Sequence, residues 1–565
     1  MAIRSRYLLS KQSIQFYDFS AGVNYRDNII PVNGLRDVKN LYWNGDRLTR
    51  RLGYEVRNNT LDPTTIISGS AVVKIIDHLY YKWGSSEYYF IFAGVDSSGG
   101  STIDRLMIFY YNGLPSSAVT FTPLASGYEI NWTENDPFSI TQLGDKIYIA
   151  LGDDDPYVLY YDSSWKTREL PVCATMNDGS TDGANIIQNG TDDDWGGAKW
   201  VASYDHFLYL SDEKMTYFAI RDEVSDPAKG VTETDLQDFI SGVQQSWDAT
   251  WVFAMPINDK LDKAIPFKNY LFMYGETSIW HFMNRFSDAN PIDYDKQRVS
   301  DVGVYGELLI TPSTAFWVGK DNIYGFDGVT ITPLAKKIWN YIESQHNSIP
   351  NDLSDCSLVW YKNKVWISFP NSTNKEIYVF DPDYTYADSA GDYHIPFYRF
   401  LYHKTNSSTS IGFKKLKNFD SKLFGISGTY LYQLDTGYFD DNGNDNVPIV
   451  IEIKFAYFDF DVPSFKKTFG RIIFETDANI DDILELSLTF KRDYGEESSS
   501  AVVLDTTYTG NQRSYIELQA PYNIDGNSIS LELTSDGTGR TGTGNINIYG
   551  FSIEYAPKKT AKKED

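Results

Sequence analysis

From Ala71 onward, apolar and polar positions alternate with the period of two that a half-buried strand requires. Ala71–Leu79, Glu87–Val95 and Arg105–Tyr111 are the first strand candidates. The stretch Phe138–Asp162, FSITQLGDKIYIALGDDDPYVLYYD, then sets out a grammar. A strand leads to a polar turn at Gly144–Asp145, a second strand at Lys146–Ala150, a loop over Gly152–Pro156, and a third strand at Tyr157–Tyr161. The same order returns in Trp200–Ser211 with Met215–Ile220, and in Ala264–Phe282 with turns at Lys268–Asn269 and Gly275–Glu276. It returns again in Gly306–Phe326, Cys356–Phe380 and Lys415–Leu434. One such unit cannot bury both faces alone, so neighbours must stack. Recurring strand units of this kind predict an all-β chain organised as a β-propeller of about six blades. A pair of β-sandwiches satisfies the same alternation, and the recurrence of a single pattern favours the propeller.

Three stretches depart from that texture. Leu35, Val38 and Leu41 share one face at helical spacing and predict a short helix over Leu35–Leu41. Thr232–Val243 and Leu334–Ile342 are further helix candidates, the second with Leu334, Ile338, Trp339 and Ile342 on one side. The loop Asn177–Gly197 is too polar to build a core. After the DDNGND run at Asp440–Asp445 the alternation lengthens through Val450–Phe460, Phe469–Glu475, Leu484–Phe490, Ala501–Leu504, Ser514–Leu518, Ser528–Leu533 and Ile546–Tyr555. That set predicts a C-terminal antiparallel β-sandwich. The expected organisation is an N-terminal arm and docking segment over 1–60, a propeller with insertions over 61–440, the sandwich over 445–557, and a disordered lysine-bearing tail over 558–565.

Composition sharpens the picture. Aromatic residues make up 16% of the 565 positions, which favours strands, where flat rings pack across a pleated surface. The formal charge is −26, from 50 Lys plus Arg against 76 Asp plus Glu. A duplex-DNA clamp needs the opposite sign, because its affinity comes from neutralised phosphates. An acidic wall instead repels phosphates, so DNA passing nearby would slide without sticking. Against this background Arg4, Arg6 and Lys11 make the opening segment a basic arm. Cys173 and Cys356 are the two cysteines, too few for a disulfide scaffold. The start carries no long apolar core of a signal peptide, and no stretch reaches the length of a membrane helix, so synthesis and use without secretion are expected.

Catalytic signatures are absent: there is no GxSxG, HExxH, P-loop or paired-cysteine pattern. Asp153–Asp155 and Asp192–Asp194 resemble cation loops only in charge, and the first lacks the spacing and central glycine of an EF-hand. The six histidines (His78, His206, His281, His346, His394, His403) are scattered. A propeller glycosidase would need two positioned carboxylates, for which Glu276 and Asp301 lie near strand ends. The chain is therefore expected to be no enzyme, with no cofactor and no bound metal.

One block stands apart: Phe16–Tyr54, FYDFSAGVNYRDNIIPVNGLRDVKNLYWNGDRLTRRLGY. An aromatic residue and a Gly-x-Asn stretch precede an Asn and an Arg-x-Gly-Tyr ending, here Phe19, Gly22, Asn24, Asn40, Arg51, Gly53 and Tyr54. This block resembles the N-terminal signature of bacteriophage tail nozzle (tail tubular protein B-like) and packaged-DNA-stabilising hub proteins. Gln142–Asp162 and Ala264–Phe282 are similar to their blade segments, and Phe465–Ala478 and Asn545–Lys558 to their C-terminal β-domain. The likeness covers most of the chain. It implies a virion structural protein, assembled in the host cytoplasm and forming a homo-oligomeric, sixfold ring below the portal. The implied partners are a head-tail adaptor, tail fibres or spikes, and packaged double-stranded DNA passing through the channel without sequence-specific binding. Asn177–Gly197 and Asp222–Thr234 are the loops expected to narrow that channel. The alternatives are another tail, baseplate or fibre-adaptor component, and a carbohydrate-binding or glycosidase-like propeller.

Overall fold

A computed structural model describes residues 12–25, 33–134, 137–152, 154–169, 198–204, 207–211, 215–222, 231–232, 252–256, 259, 261–284, 294–347, 351–387, 393–403, 410–441, 447–460, 465–478, 483–493, 496–507, 513–519, 525–535 and 546–558. The architecture is all-β and multi-sheet, with one short α-helix among the described residues. The chain divides into two compact units. One comprises Val56–Thr332 with Ile426–Tyr432, and the other Met1–Glu55, Pro333–Gly425 and Gln433–Asp565.

The first unit is a succession of antiparallel meanders. Ala71–Trp83, Ser86–Asp96 and Arg105–Asn112 pair in order, and the short strands Thr122–Pro123 and Ile130–Asn131 both add to the third. Ser139–Leu143, Lys146–Leu151, Asp154–Asp162 and Ser164–Glu169 form the next sheet. Trp200–Tyr204, Phe207–Ser211, Met215–Asp222 and Val252–Pro256 follow, with Val231–Thr232 parallel to the third strand. Lys263–Phe267, Tyr270–Tyr274, Ile279–Asn284 and Tyr294–Ser300 make the fourth, and Tyr305–Ile310, Ala315–Val318, Ile323–Phe326 and Ile331–Pro333 the fifth. The two-residue turns fall where Gly144–Asp145 and Lys268–Asn269 predict them, with Gly144 and Lys268 at positive φ as tight turns require. The loop expected over Gly152–Pro156 is shorter than that. A register shift after Ile149 lets Leu151 pair with Asp154, so the next strand starts at Asp154.

Apolar faces of successive sheets bury one another. Tyr81, Phe90 and Phe92 of the first sheet pack with Ile147, Ile149, Leu159 and Trp165 of the second. Phe267, Phe272 and Tyr274 of the fourth pack with Leu308, Trp317 and Phe326 of the fifth. The leading strands also touch through side chains. Thr141 Oγ1 and Ser203 Oγ lie 3.1 Å apart, and Ser203 Oγ donates to Gln142 O at 3.0 Å. Lys263 Nζ donates to Gly306 O at 3.2 Å.

The second unit holds two large sheets. One runs Leu41–Trp43, Leu48–Arg50, Ile546–Pro557, Lys467–Ala478, Arg513–Gln519, with Gln12–Phe16 also paired to Ile546–Pro557. The other runs Ser357–Tyr361, Lys364–Ser368, Ile377–Phe380, Phe397–Phe400, Leu35–Lys39, Glu452–Phe455, Ile529–Ser535, Ile483–Arg492, Glu496–Thr507. Phe16, Phe19, Phe455, Phe458, Phe474 and Phe551 meet in one aromatic core, with Phe16 to Phe458 at 4.2 Å and Phe455 to Phe551 at 4.7 Å between ring centroids. A further sheet takes Lys414–Phe419, Lys422–Ser427, Tyr430–Leu434 and Tyr54–Val56 in that order. Counting it and the Ser357–Phe400 meander, the described chain carries seven four-stranded runs, one more than the repeating units legible in the sequence.

The helix expected over Leu35–Leu41 is a strand, Leu35–Lys39. A bulge between Leu35 and Asp37 shifts the register, so Leu35 and Val38 both face inward three residues apart. An extra residue in a strand thus imitates helical spacing. The helix expected over Leu334–Ile342 starts later, at Trp339–Ser344, after a turn in which Trp339 N donates to Ala335 O; Ile338, Trp339 and Ile342 are buried as expected. The other helix candidate, Thr232–Val243, lies outside the described residues after Thr232, which is in a strand.

Candidate functional site

The seven residues singled out between Phe19 and Tyr54 converge inside the second unit. Arg51 is the centre. Its side chain and that of Asp440 are both fully buried and join through two parallel bonds, NH1 to Oδ1 at 2.7 Å and NH2 to Oδ2 at 2.8 Å. Nε donates to Asn40 Oδ1 at 2.9 Å, NH1 also to Leu52 O, and NH2 also to Leu401 O. All five guanidinium donors are therefore spent. The guanidinium carbon lies 3.7 Å from the centroid of the Tyr402 ring, a cation–π contact. Burial alone would lower the Arg51 pKa; the adjoining Asp440 carboxylate outweighs it, and the net shift is upward.

Asn40 sits at φ +63 and works with both ends of its amide. Nδ2 donates to Val450 O at 2.7 Å, and Oδ1 accepts from Leu401 N at 2.7 Å as well as from Arg51. Residues about the chain positions 40, 51, 401, 440 and 450 are thus tied at one point. Gly53 passes so close to Phe439 that a Cβ would stand 1.6 Å from its carbonyl oxygen. Gly22, at φ +62, lies where a Cβ would meet Pro396 Cβ at 2.8 Å and Phe397 backbone at 2.9 Å. Phe19 packs on Phe455 and edge-on to Trp43, and its carbonyl accepts from Tyr398 OH at 3.1 Å. Asn24 is buried and its N–H donates to Leu35 O. Tyr54 OH donates to His403 O at 3.0 Å. Such a set pins distant segments to one another.

A second buried framework carries no motif in the sequence. Arg399 donates twice from NH2 to the two oxygens of Asp37, at 2.9 Å each, and from NH1 to Glu376 Oε1 at 2.9 Å and to Tyr341 OH at 2.6 Å. Tyr25 OH donates to Asp37 Oδ1 at 2.6 Å and its ring stacks on Tyr341 at 4.3 Å. Tyr378 OH donates to Glu376 Oε2 at 2.7 Å. Burial pushes the Tyr341 hydroxyl up to about 12, and Tyr25 and Tyr378 well above the usual tyrosine range, so all three stay protonated donors. Sheet register brings Asp37, Arg399 and Tyr378 together, and the helix Trp339–Ser344 adds Tyr341. Leu35–Lys39 runs parallel to Phe397–Phe400, a pairing between segments more than three hundred residues apart that no local pattern announces.

The carboxylates considered for glycosidic chemistry lie in exposed turns. Glu276 follows Tyr270–Tyr274, and Asp301 pairs with Arg298 at 3.0 Å while 85% of its side chain remains exposed. Of Asp153–Asp155 only the backbone of Asp154 and Asp155 is described, as the start of a strand; Asp192–Asp194, Asn177–Gly197, Arg4, Arg6 and Lys11 lie outside the described residues, as does Asp222–Thr234 apart from Asp222, Val231 and Thr232, which are in strands. Among the described residues no group of three His, Cys, Asp or Glu side chains is placed to hold a metal, and no helix is long and apolar enough to cross a membrane.

No protein-family model and no curated protein matches the chain. Solved structures with partial likeness include the WD40 β-propeller domain of Doa1, at 9% identity and a TM-score of 0.33, covering 68% of this chain and 96% of that one. The WD40 domain of Neurospora crassa Pan2 matches at 7% identity and a TM-score of 0.33, covering 69% and 96%. An exo-β-1,3-galactanase from Phanerochaete chrysosporium matches at 8% identity and a TM-score of 0.23, covering 86% and 100%. Likenesses this faint carry no argument about this chain.

Proposed function

We propose that this chain is a structural subunit of a bacteriophage tail, a nozzle or hub protein whose copies form a ring below the portal and adaptor. In this reading the successive meanders are blades of a β-propeller, and the two aromatic-cored sheets are a β-sandwich. The ring lines the exit channel and retains packaged DNA, and its outer face carries fibres or spikes. The observation that carries the reading is the Phe19–Tyr54 block. Its seven resemblance-bearing residues are framework residues with satisfied bonding, as a load-carrying subunit requires and a catalytic one does not. The charge of −26 agrees with it, since an acidic wall lets phosphates slide.

The test is the mass and symmetry of the assembled protein, by native mass spectrometry and electron microscopy, alone and with the products of neighbouring genes. A closed ring around an axis is the expected result. A chain that stays monomeric with every neighbour, or that turns over a glycan, overturns it.

A further inference from the structure

The buried framework around Arg399 leaves one cation over. Lys39 lies on the same face of its strand as Asp37, directly beside Arg399 in the parallel pair and opposite Glu452 in the antiparallel one. The carboxylates there are engaged by other groups. Asp37 receives Arg399 and Tyr25, with Lys454 at 3.5 Å, and Glu452 is held by Lys454 at 2.6 Å. No hydrogen bond or ion pair joins Lys39 Nζ to either among the described residues. Arg399, itself more than nine-tenths buried, keeps a buried Nε with no partner among the described residues. A half-buried amine thus sits against a guanidinium that has a donor to spare.

We propose that Lys39 is a modification site for carbon dioxide, forming a carbamate that the Arg399 guanidinium holds. The Nζ lone pair forms a C–N bond to the carbon of CO2. One C–O π bond opens and leaves its electron pair on oxygen, and the proton of the attacking nitrogen passes to solvent; nothing is oxidised or reduced. Before the reaction two cations adjoin. Afterwards an anionic oxygen faces the unpartnered donor, and repulsion becomes a charge-assisted hydrogen bond. The surroundings favour the reactive form. Burial, then the charges of Arg399 and Arg51, lower the Lys39 pKa against the opposing pull of Glu452 and Asp37. Lys454 adds a further positive charge on the same face.

The experiment uses the full chain in 13C-bicarbonate buffer, trapping with a trialkyloxonium salt and peptide mapping by mass spectrometry. The trapped carbamate is expected on Lys39 at a level several-fold above that on exposed Lys336. Lys39→Arg abolishes that signal while circular dichroism stays native. In the unsubstituted chain bicarbonate raises the melting temperature, and in Lys39→Arg and Lys39→Gln it does not. Glu452→Gln removes the charge that opposes amine release and carbamate formation, so occupancy rises. Labelling of Lys39 no stronger than of Lys336, or a bicarbonate effect that survives both Lys39 substitutions, overturns the proposal.

Discussion

The unit built from the two chain ends and the unit built from the meanders are held in different ways. In the first, two arginines are sunk among carboxylates, amides and tyrosines, with Arg51 on Asp440 and Arg399 on Asp37 and Glu376. In the second, sheets bury one another through apolar rings such as Phe90 against Trp165 at 4.8 Å, and polar side chains serve at the leading strands. The lesson concerns specificity. A buried ion pair adds little net stability over an apolar pair, but it admits one geometry and penalises every other by leaving a charge unpaired. Apolar faces tolerate repacking and lose stability in proportion to what is removed. Segments that meet from opposite ends of the sequence add the first device to an aromatic core such as Phe16 on Phe458. Neighbouring meanders, brought together by short connections, need only the second.

Four measurements break or sharpen that contrast. The largest effect belongs to Gly53→Ala, where the new Cβ meets a backbone carbonyl rather than a movable side chain. A loss above about 4 kcal/mol is expected, read as failure to accumulate folded protein. A native melting curve for this variant would show that the Phe439 segment is free to move. Arg51→Met follows, at about 3–5 kcal/mol, because it strands the Asp440 carboxylate in a dry site. Pairing it with Asp440→Leu should recover much of the loss in a double-mutant cycle; an additive double variant would mean that the two side chains do not act as a pair.

In the meanders, Ile149→Val removes one buried methylene and should cost about 0.5–1.5 kcal/mol with no change in fold, checked by denaturant melts. A cost near that of Arg51→Met would erase the distinction between the two devices. The smallest effect is a pH dependence. His346, against Phe369 at 5.6 Å, has both ring nitrogens buried without a partner among the described residues. Burial lowers its pKa, against the pull of Asp352 and Glu376. A group whose folded pKa lies below its unfolded value of about 6.5 binds fewer protons in the fold, so stability rises with pH. The contribution is complete above about 6.5 and is lost as pH falls through the folded value. His346→Phe should flatten that acid limb of the melting temperature while leaving the neutral value nearly unchanged; an unaltered limb would assign it to other groups.

Much of this was legible one residue at a time. The Gly144–Asp145 and Lys268–Asn269 turns, the strands that flank them, and the C-terminal strands through Ile546–Pro557 follow from alternation and turn chemistry. Where local pattern misled, the cause is local too: the bulge at Leu35–Asp37 copies the spacing of a helix. The Phe19–Tyr54 block could be marked as special from its residue types. That it is a framework could not, because Asn40 and Arg51 look polar and therefore exposed until Asp440, Leu401 and Val450 surround them.

Sequence alone thus determined most strands, the Gly144–Asp145 and Lys268–Asn269 turns and the repeated unit, since each depends on φ, ψ and side-chain size within a few residues. Tertiary structure decided that Leu35–Lys39 lies between Phe397–Phe400 and Glu452–Phe455, that Gln12–Phe16 pairs with Ile546–Pro557, and that Arg51 and Arg399 are buried on their carboxylate partners. Such pairings are chosen by the free energy of closing long loops against the burial and charge satisfaction gained, and no short window of residues contains both sides of that balance.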